Sequence, residues 1–226
     1  MRTSSPDTIS VPILSVQCGK VQAFRQPDEP SAIGKTPVTG AVGIHRLGLD
    51  GDEQADLAVH GGVDKAIHHY PHDHYAFWRE AIGDHPLLSG YGAFGENIAT
   101  HGLTEDTICV GDRWRLGTAL VEVSQGRQPC WKLDHRFDGA AVNARVVKSR
   151  RSGWYYRVLE EGTVAAGDGM VLVDRPYPAW SVQRVFGLLI AGEHKKDREG
   201  LEALGEVTPL AAAWIRRRAK LLGLEG

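Results

Sequence analysis

At 226 residues the chain is long enough for one main domain and a small appendage, since domains usually hold about 100 to 150 residues. A composition of 42% hydrophobic and 24% charged residues is that of a globular protein and excludes long disorder, collagen-like repeats and acidic solvating tails. With 26 basic and 28 acidic residues the formal charge is -2, so no global positive field exists to hold polymeric nucleic acid.

Residues 1–7 lack an apolar signal core, and no later run approaches the ~18 apolar residues of a membrane helix, so no membrane association and a cytoplasmic location are expected. From Ile9 to Val173 short β-branched or apolar runs alternate with glycine and Gly-Asp turns, the pattern of an irregular sheet or barrel. Strands are predicted at 11–16, 21–24, 38–44, 66–70, 107–110, 114–116, 119–124, 154–159 and 170–173. A helix is predicted to start at Pro71, place Tyr75, Trp78 and Ile82 on one face and stop at Gly83; another is predicted over 140–149. The Gly-Asp pairs at 51–52, 83–84, 111–112 and 167–168 predict tight turns.

After Pro176-Tyr177-Pro178 the pattern becomes helical. Ser181 is an N-cap candidate, and Val182, Val185, Phe186, Leu189 and Ile190 form an apolar face. A short helix fits 198–204. A third is predicted to begin with Thr208-Pro209 and to turn Leu210, Ala213, Trp214 and Leu221 inward before Gly223. The expected organisation is a β domain over 1–175 and a three-helix subdomain over 176–226. With under ~60 residues, that subdomain needs to pack on the β domain or on a second copy of the chain, as a homodimer.

Cys18, Cys109 and Cys130 are odd in number and far apart, which fits neither a disulfide framework nor a four-cysteine zinc site. Cys18 and Cys109 sit in or beside apolar runs and read as small buried hydrophobes. Cys130 ends Ser124-Gln125-Gly126-Arg127-Gln128-Pro129-Cys130, where Pro129 fixes its own φ and biases Gln128 toward extension. Arg127 and Lys132 bracket the thiol with positive charge, a setting that favours a thiolate for nucleophilic attack or soft-metal ligation. The same words also fit a buried structural cysteine between two solvated bases.

Gly61 and Gly62, with Lys65, offer backbone amides and a point charge for an anion, although paired glycines also mark ordinary turns. Phe94-Gly95-Glu96-Asn97 offers an amide and a carboxylate that either read a heterocycle edge or cap a turn. His60, His68, His69, His72 and His74 contain no H-E-x-x-H pattern, and His68 and His72 straddle Pro71, so a histidine metal site is the weaker reading. Lys148, Arg150, Arg151 and Arg157 around Gly153-Trp154-Tyr155-Tyr156 read as a solvated helix end before a strand.

In this order the segments resemble the MOSC family, named for the C-terminal domain of molybdenum cofactor sulfurase, and within it the YiiM-type branch. The resemblance is carried by Ser31-Ala32-Ile33-Gly34-Lys35, Leu47-Gly48-Leu49-Asp50-Gly51-Asp52-Glu53-Gln54-Ala55-Asp56 and His60-Gly61-Gly62-Val63-Asp64-Lys65-Ala66. It continues through His69-Tyr70-Pro71, Phe94-Gly95-Glu96-Asn97, Gly111-Asp112, Ser124-Gln125 and Arg127-Gln128-Pro129-Cys130, and so spans nearly the whole chain. Two positions depart from it: Gly126 and Val63 stand where proline is common, which loosens both turns.

The resemblance implies a mainly β, barrel-like MOSC domain with helices, binding a molybdopterin-type molybdenum cofactor. Cys130 is implied as the catalytic thiolate on molybdenum. Lys35, Lys65 and Arg127 are implied for the cofactor phosphate with help from His60, Gly61 and Gly62, and Asn97 and Gln125 for the pterin edge. It further implies reduction of small N-hydroxylated compounds, such as hydroxylaminopurine-like base analogues, with Tyr70 or His69 assisting protonation. No Rossmann glycine fingerprint or cysteine-rich cluster run occurs, so electrons are expected from an external donor protein, a flavin reductase being the natural kind. Two other readings remain: a sulfur carrier or cofactor-binding module holding a Cys130 persulfide, and a thiol hydrolase pairing Cys130 with His135.

Overall fold

The computed structural model describes residues 9–26, 29–55 and 61–224, so the readings placed on residues 1–7 and 56–60 lie outside it. Seven strands follow the apolar runs: β1 (Ser10–Cys18), β2 (Ile67–Pro71), β3 (Ile98–Thr100), β4 (Arg113–Leu116), β5 (Ala119–Gly126), β6 (Trp154–Glu160) and β7 (Gly169–Asp174). They pair in the order β7-β4-β5-β6-β2-β3-β1, and β7 pairs again with β1, which closes a barrel. All rungs are antiparallel except β2 with β3. A parallel pair needs a long crossover, and residues 72–97 supply it, carrying α1 (His74–Ile82).

Alternation along the strands fills the barrel with side chains. Register sets Val121 opposite Trp114 and Val158, and Val123 opposite Tyr156. His69 pairs with Trp154 and Ile98 and shares this inner face, its ring nitrogens meeting the hydroxyls of Tyr156 at 3.0 Å and Thr100 at 2.9 Å. The interior is therefore a packed core. One position along, His68 and Tyr155 are register partners on the outer face, and there a site has room.

Several predicted elements shift for identifiable reasons. Pro71 closes β2 opposite Thr100, where a missing N–H is tolerated, and α1 starts only at His74. Residues 107–110 wind into turns because the Thr104 carbonyl accepts from both Thr107 and Ile108 and the Asp112 carboxylate takes the Cys109 amide. The 38–44 prediction divides: Thr36–Pro37 pairs with β1, while Val42–His45 joins a small sheet with Gly48–Leu49 and Gly162–Val164. Gln22–Ala23 forms a hairpin with Pro30–Ser31. The glycines of all four Gly-Asp pairs have positive φ, as their turns require.

The remaining helices are α2 (Trp131–Arg136), α3 (Val142–Ser149), α4 (Val182–Leu189), α5 (Arg198–Ala203) and α6 (Ala212–Leu222). Ser181 caps α4 by accepting from the Arg184 amide at 3.2 Å. Thr208-Pro209 forms a turn closed by the Leu210 amide on the Val207 carbonyl, and α6 begins later, where the Asp64 carboxylate takes the Ala212 amide at 3.0 Å. Trp214 is buried as expected, but Ala213 is exposed and Ala211 is covered in its place. A Cβ on Gly126 would stand 3.0 Å from the Trp214 ring and 3.1 Å from Val182, so α4 and α6 close directly on β5. Glycine at 126 thus reflects this packing, and the residue lies in the β5–β6 ladder opposite Trp154. Among the described residues no helix is long and apolar enough to cross a membrane.

Candidate functional site

Past Gly126 the chain leaves β5 but stays tethered, because the Arg127 amide donates to the Gly153 carbonyl at 2.9 Å. Pro129 is buried, and Cys130 adopts an extended conformation (φ -136°, ψ 167°) immediately before α2. Its thiol is partly exposed, whereas Cys18 and Cys109 are buried. Burial, reinforced by Asp52, pushes the Cys18 thiol up to about 11; burial and then Asp112 raise Cys109 as well. These two thiols stay protonated and inert at neutral pH, which singles out Cys130.

Cys130 opens on a small cavity of about 80 Å³ on the outer barrel wall. Its walls come from 31–33 with Lys35, 53–55, His68, 94–95 with Asn97, Arg127, Lys132 and Tyr155. Helix α2 ties the segments leading into two of these walls together. Lys132 Nζ donates to the Pro30 carbonyl at 3.1 Å, while Arg136 donates to the carbonyls of Ala93 at 2.9 Å and Gly92 at 3.0 Å.

The charges divide unequally. Lys35 is neutralised by Asp52 at 2.5 Å, both side chains being nearly sealed. Arg127 is 6% exposed and makes no ion pair among the described residues. It lies beside the Tyr155 phenol on the same wall. Burial raises the pKa of this phenol, with Arg127 and Cys130 acting in opposite directions, so Tyr155 is neutral. Burial and the nearby Arg127 hold His68 well below the ordinary histidine range, so it is a neutral imidazole. Arg127 is the buried cation of this wall without an ion pair among the described residues, Lys132 being the more exposed one, and a buried unpaired cation is costly unless an anion meets it.

Of the residues singled out in the sequence, Lys35, Asn97, Arg127 and Cys130 line the cavity together. Asn97 is already committed: its Nδ2 donates to the Gln17 carbonyl and to Asp52, and its Oδ1 accepts from the His68 amide. Glu96 likewise turns inward, accepting from the amides of Gly92 and Phe94 and from the Tyr75 hydroxyl. The tetrapeptide therefore shapes the wall through its backbone and the Phe94 ring. Gln125 is 1% exposed, donates to the Gly126 carbonyl and is not part of the wall.

Gly61, Gly62 and Lys65 also lie outside the cavity lining; Gly62 lines a neighbouring recess with Asp52 and Gln54, and Gln54 borders both. His60 lies outside the described residues. His69 is locked in the barrel core, and the Tyr70 hydroxyl is buried between Trp78 and the Arg151 carbonyl, so neither reaches the cavity. His135 is exposed and packs edge-on against Phe24. His68 and Tyr155, not His69 and Tyr70, line the cavity. The signal available was parity: in strands predicted at 66–70 and 154–159, both residues alternate with core positions.

A family model described as MOSC domain matches residues 56–171. Protein YiiM of Escherichia coli (strain K12) is 43% identical over 92% of this chain and 91% of its own length. A protein of Gibberella moniliformis named reductase is 39% identical over 76% of this chain, which corresponds to 31% of that longer protein. The crystal structure of YiiM from Geobacillus stearothermophilus superposes with a TM-score of 0.77 at 33% identity, covering 94% of this chain and 99% of the other.

Proposed function

This chain belongs to the MOSC domain family, and from that membership and the geometry of its cavity we propose that it reduces N-hydroxylated compounds with a molybdenum cofactor held through Cys130. The family is associated with molybdenum-cofactor binding, and one relative is named a reductase. The observation that carries the reading is the pairing of a partly exposed thiol with a buried guanidinium that has no ion-pair partner among the described residues, on one cavity wall. A soft sulfur donor suits a heavy redox metal, and an uncompensated buried cation suits a phosphate.

The residues present fit such a group. Cys130 would hold the metal, and Arg127 would take the phosphate bidentately. Lys35 is a secondary contact because Asp52 already neutralises it. When bound, the cofactor supplies the two-electron oxygen-atom chemistry that converts N–OH to N–H. Phe94 gives the cavity a flat apolar wall for a ring such as a base analogue. Tyr155, a neutral phenol beside Arg127, would hold a proton at its hydroxyl oxygen. The neutral His68 contributes shape without charge. Electrons come from a separate donor protein, since the chain carries no nicotinamide fingerprint or cysteine cluster run.

The test is expression in a host competent for molybdopterin synthesis, followed by molybdenum and pterin quantification in wild type and Cys130→Ser. Near-stoichiometric molybdenum is expected in wild type alone. Molybdenum retained by the serine variant would refute direct thiolate ligation. A persulfide on Cys130 without molybdenum would favour the sulfur-carrier reading instead.

A further inference from the structure

A second, polar cleft of about 360 Å³ shares no lining residue with the first, and His74 and Glu105 belong to it. The two side chains are 8% and 3% exposed, and His74 Nε2 meets Glu105 Oε2 at 2.6 Å. Glu105 Oε1 accepts from the backbone amide of Gly153, also at 2.6 Å. A buried carboxylate is costly unless both oxygens are engaged, and these two bonds engage both.

Gly153 joins this pair to the first cavity. Its carbonyl accepts the Arg127 amide, so one peptide unit separates the Glu105 carboxylate bond from the segment that carries the unpaired guanidinium. Its α-carbon is wedged against β2: an added Cβ would stand 2.4 Å from the His69 carbonyl oxygen and 2.9 Å from His68 Nε2. With φ at +67° this position suits glycine, and a backbone so placed needs an anchor. Glu105 supplies it. The Glu105 backbone is fixed in turn, because its carbonyl accepts the Gln183 amide from α4.

We propose that Glu105, braced by His74, is a positioning residue for the cavity, fixing through the Gly153 amide where Arg127 and His68 stand. The proposal rests on the reading of Arg127 as the anion contact, and two readouts separate their failures. One is titration calorimetry of the full chain with inorganic phosphate; the other is amide hydrogen exchange at Arg127 and Gly153. Glu105→Leu is expected to weaken phosphate binding about tenfold and to speed exchange at both amides by at least that factor, as loss of a charge-assisted bond implies. Glu105→Gln, whose amide oxygen still accepts from Gly153, is expected to stay within about twofold of wild type in both. A merely structural role would lower the thermal midpoint while leaving phosphate affinity of the folded protein unchanged.

Unchanged exchange at Arg127 and Gly153 in Glu105→Leu overturns the proposal. If wild type binds no phosphate, the Arg127 reading falls, and exchange alone decides this one: faster exchange at both amides supports it. If Glu105→Leu does not fold, His74→Phe is measured instead. It retains the Gly153 bond but unbraces the carboxylate, so about a twofold or larger acceleration supports the proposal and none overturns it.

Discussion

Arg127 and Gly126 are neighbours with opposite requirements. Arg127 is a sealed cation without a carboxylate, so Arg127→Met should cost little or no stability, because removing an unpaired buried charge is often neutral or better. Phosphate affinity should fall at least about tenfold, the loss of a charge-assisted pair. Denaturant unfolding and calorimetry check both; undiminished phosphate binding would remove Arg127 from the site. Gly126→Ala should destabilise by about 1–3 kcal/mol through overpacking against Trp214 and Val182, read by the shift in urea midpoint. Legibility at this scale was uneven. Cys130, Arg127 and Lys35 could be named because their chemistry shows in the side chain. Asn97 and Glu96 mark the right wall, but which way an amide or carboxylate turns depends on partners such as Gln17 and Tyr75, far away in sequence.

The tight loop of residues 92–97 has the largest leverage on the cavity among single elements. It hangs on one carboxylate, Glu96, which accepts two amides and one hydroxyl. Glu96→Leu leaves those donors buried and unsatisfied, at about 1–3 kcal/mol each, so a loss of several kcal/mol is expected in equilibrium unfolding. Glu96→Gln, which can still accept, should lose less. Elements with strong periodicity, such as the α1 face and Ser181-capped α4, were legible in the sequence. Helix α2 was not, because six residues starting directly after Cys130 hold too little periodicity to read. Strand β3 was missed for its three-residue length, and β2 was cut one residue short because Pro71 resembles a helix start.

For the molecule as a whole, the buried histidines set an acid limit. Burial pulls His69 down to about 3, below the value near 6.5 of an exposed imidazole, and His68 moves in the same direction. Between those values the unfolded chain binds protons that the folded one refuses. Stability should therefore be full above about pH 6.5 and fall as pH drops through that window, by up to about 1.4 kcal/mol per pH unit for each histidine. Urea midpoints at successive pH values test this, and His69→Gln should flatten the slope; equal slopes would remove His69 as the cause. The barrel class was legible in the glycine-punctuated β runs. Its closure was not, since pairing of the first strand with the last leaves no local trace.

That closure has a consequence for synthesis. The rungs Ser10 with Val171, Val11 with Met170 and Pro12 with Gly169 join the earliest described strand to one made some 160 residues later. On the ribosome β1 emerges long before this partner, so the ring seals last, and until then two sticky margins face outward. The 56–171 stretch that matches the family lacks β1 and the end of β7: excised, it should lose the staple between β3 and β7 and open into a gutter ready to pair with its own copies.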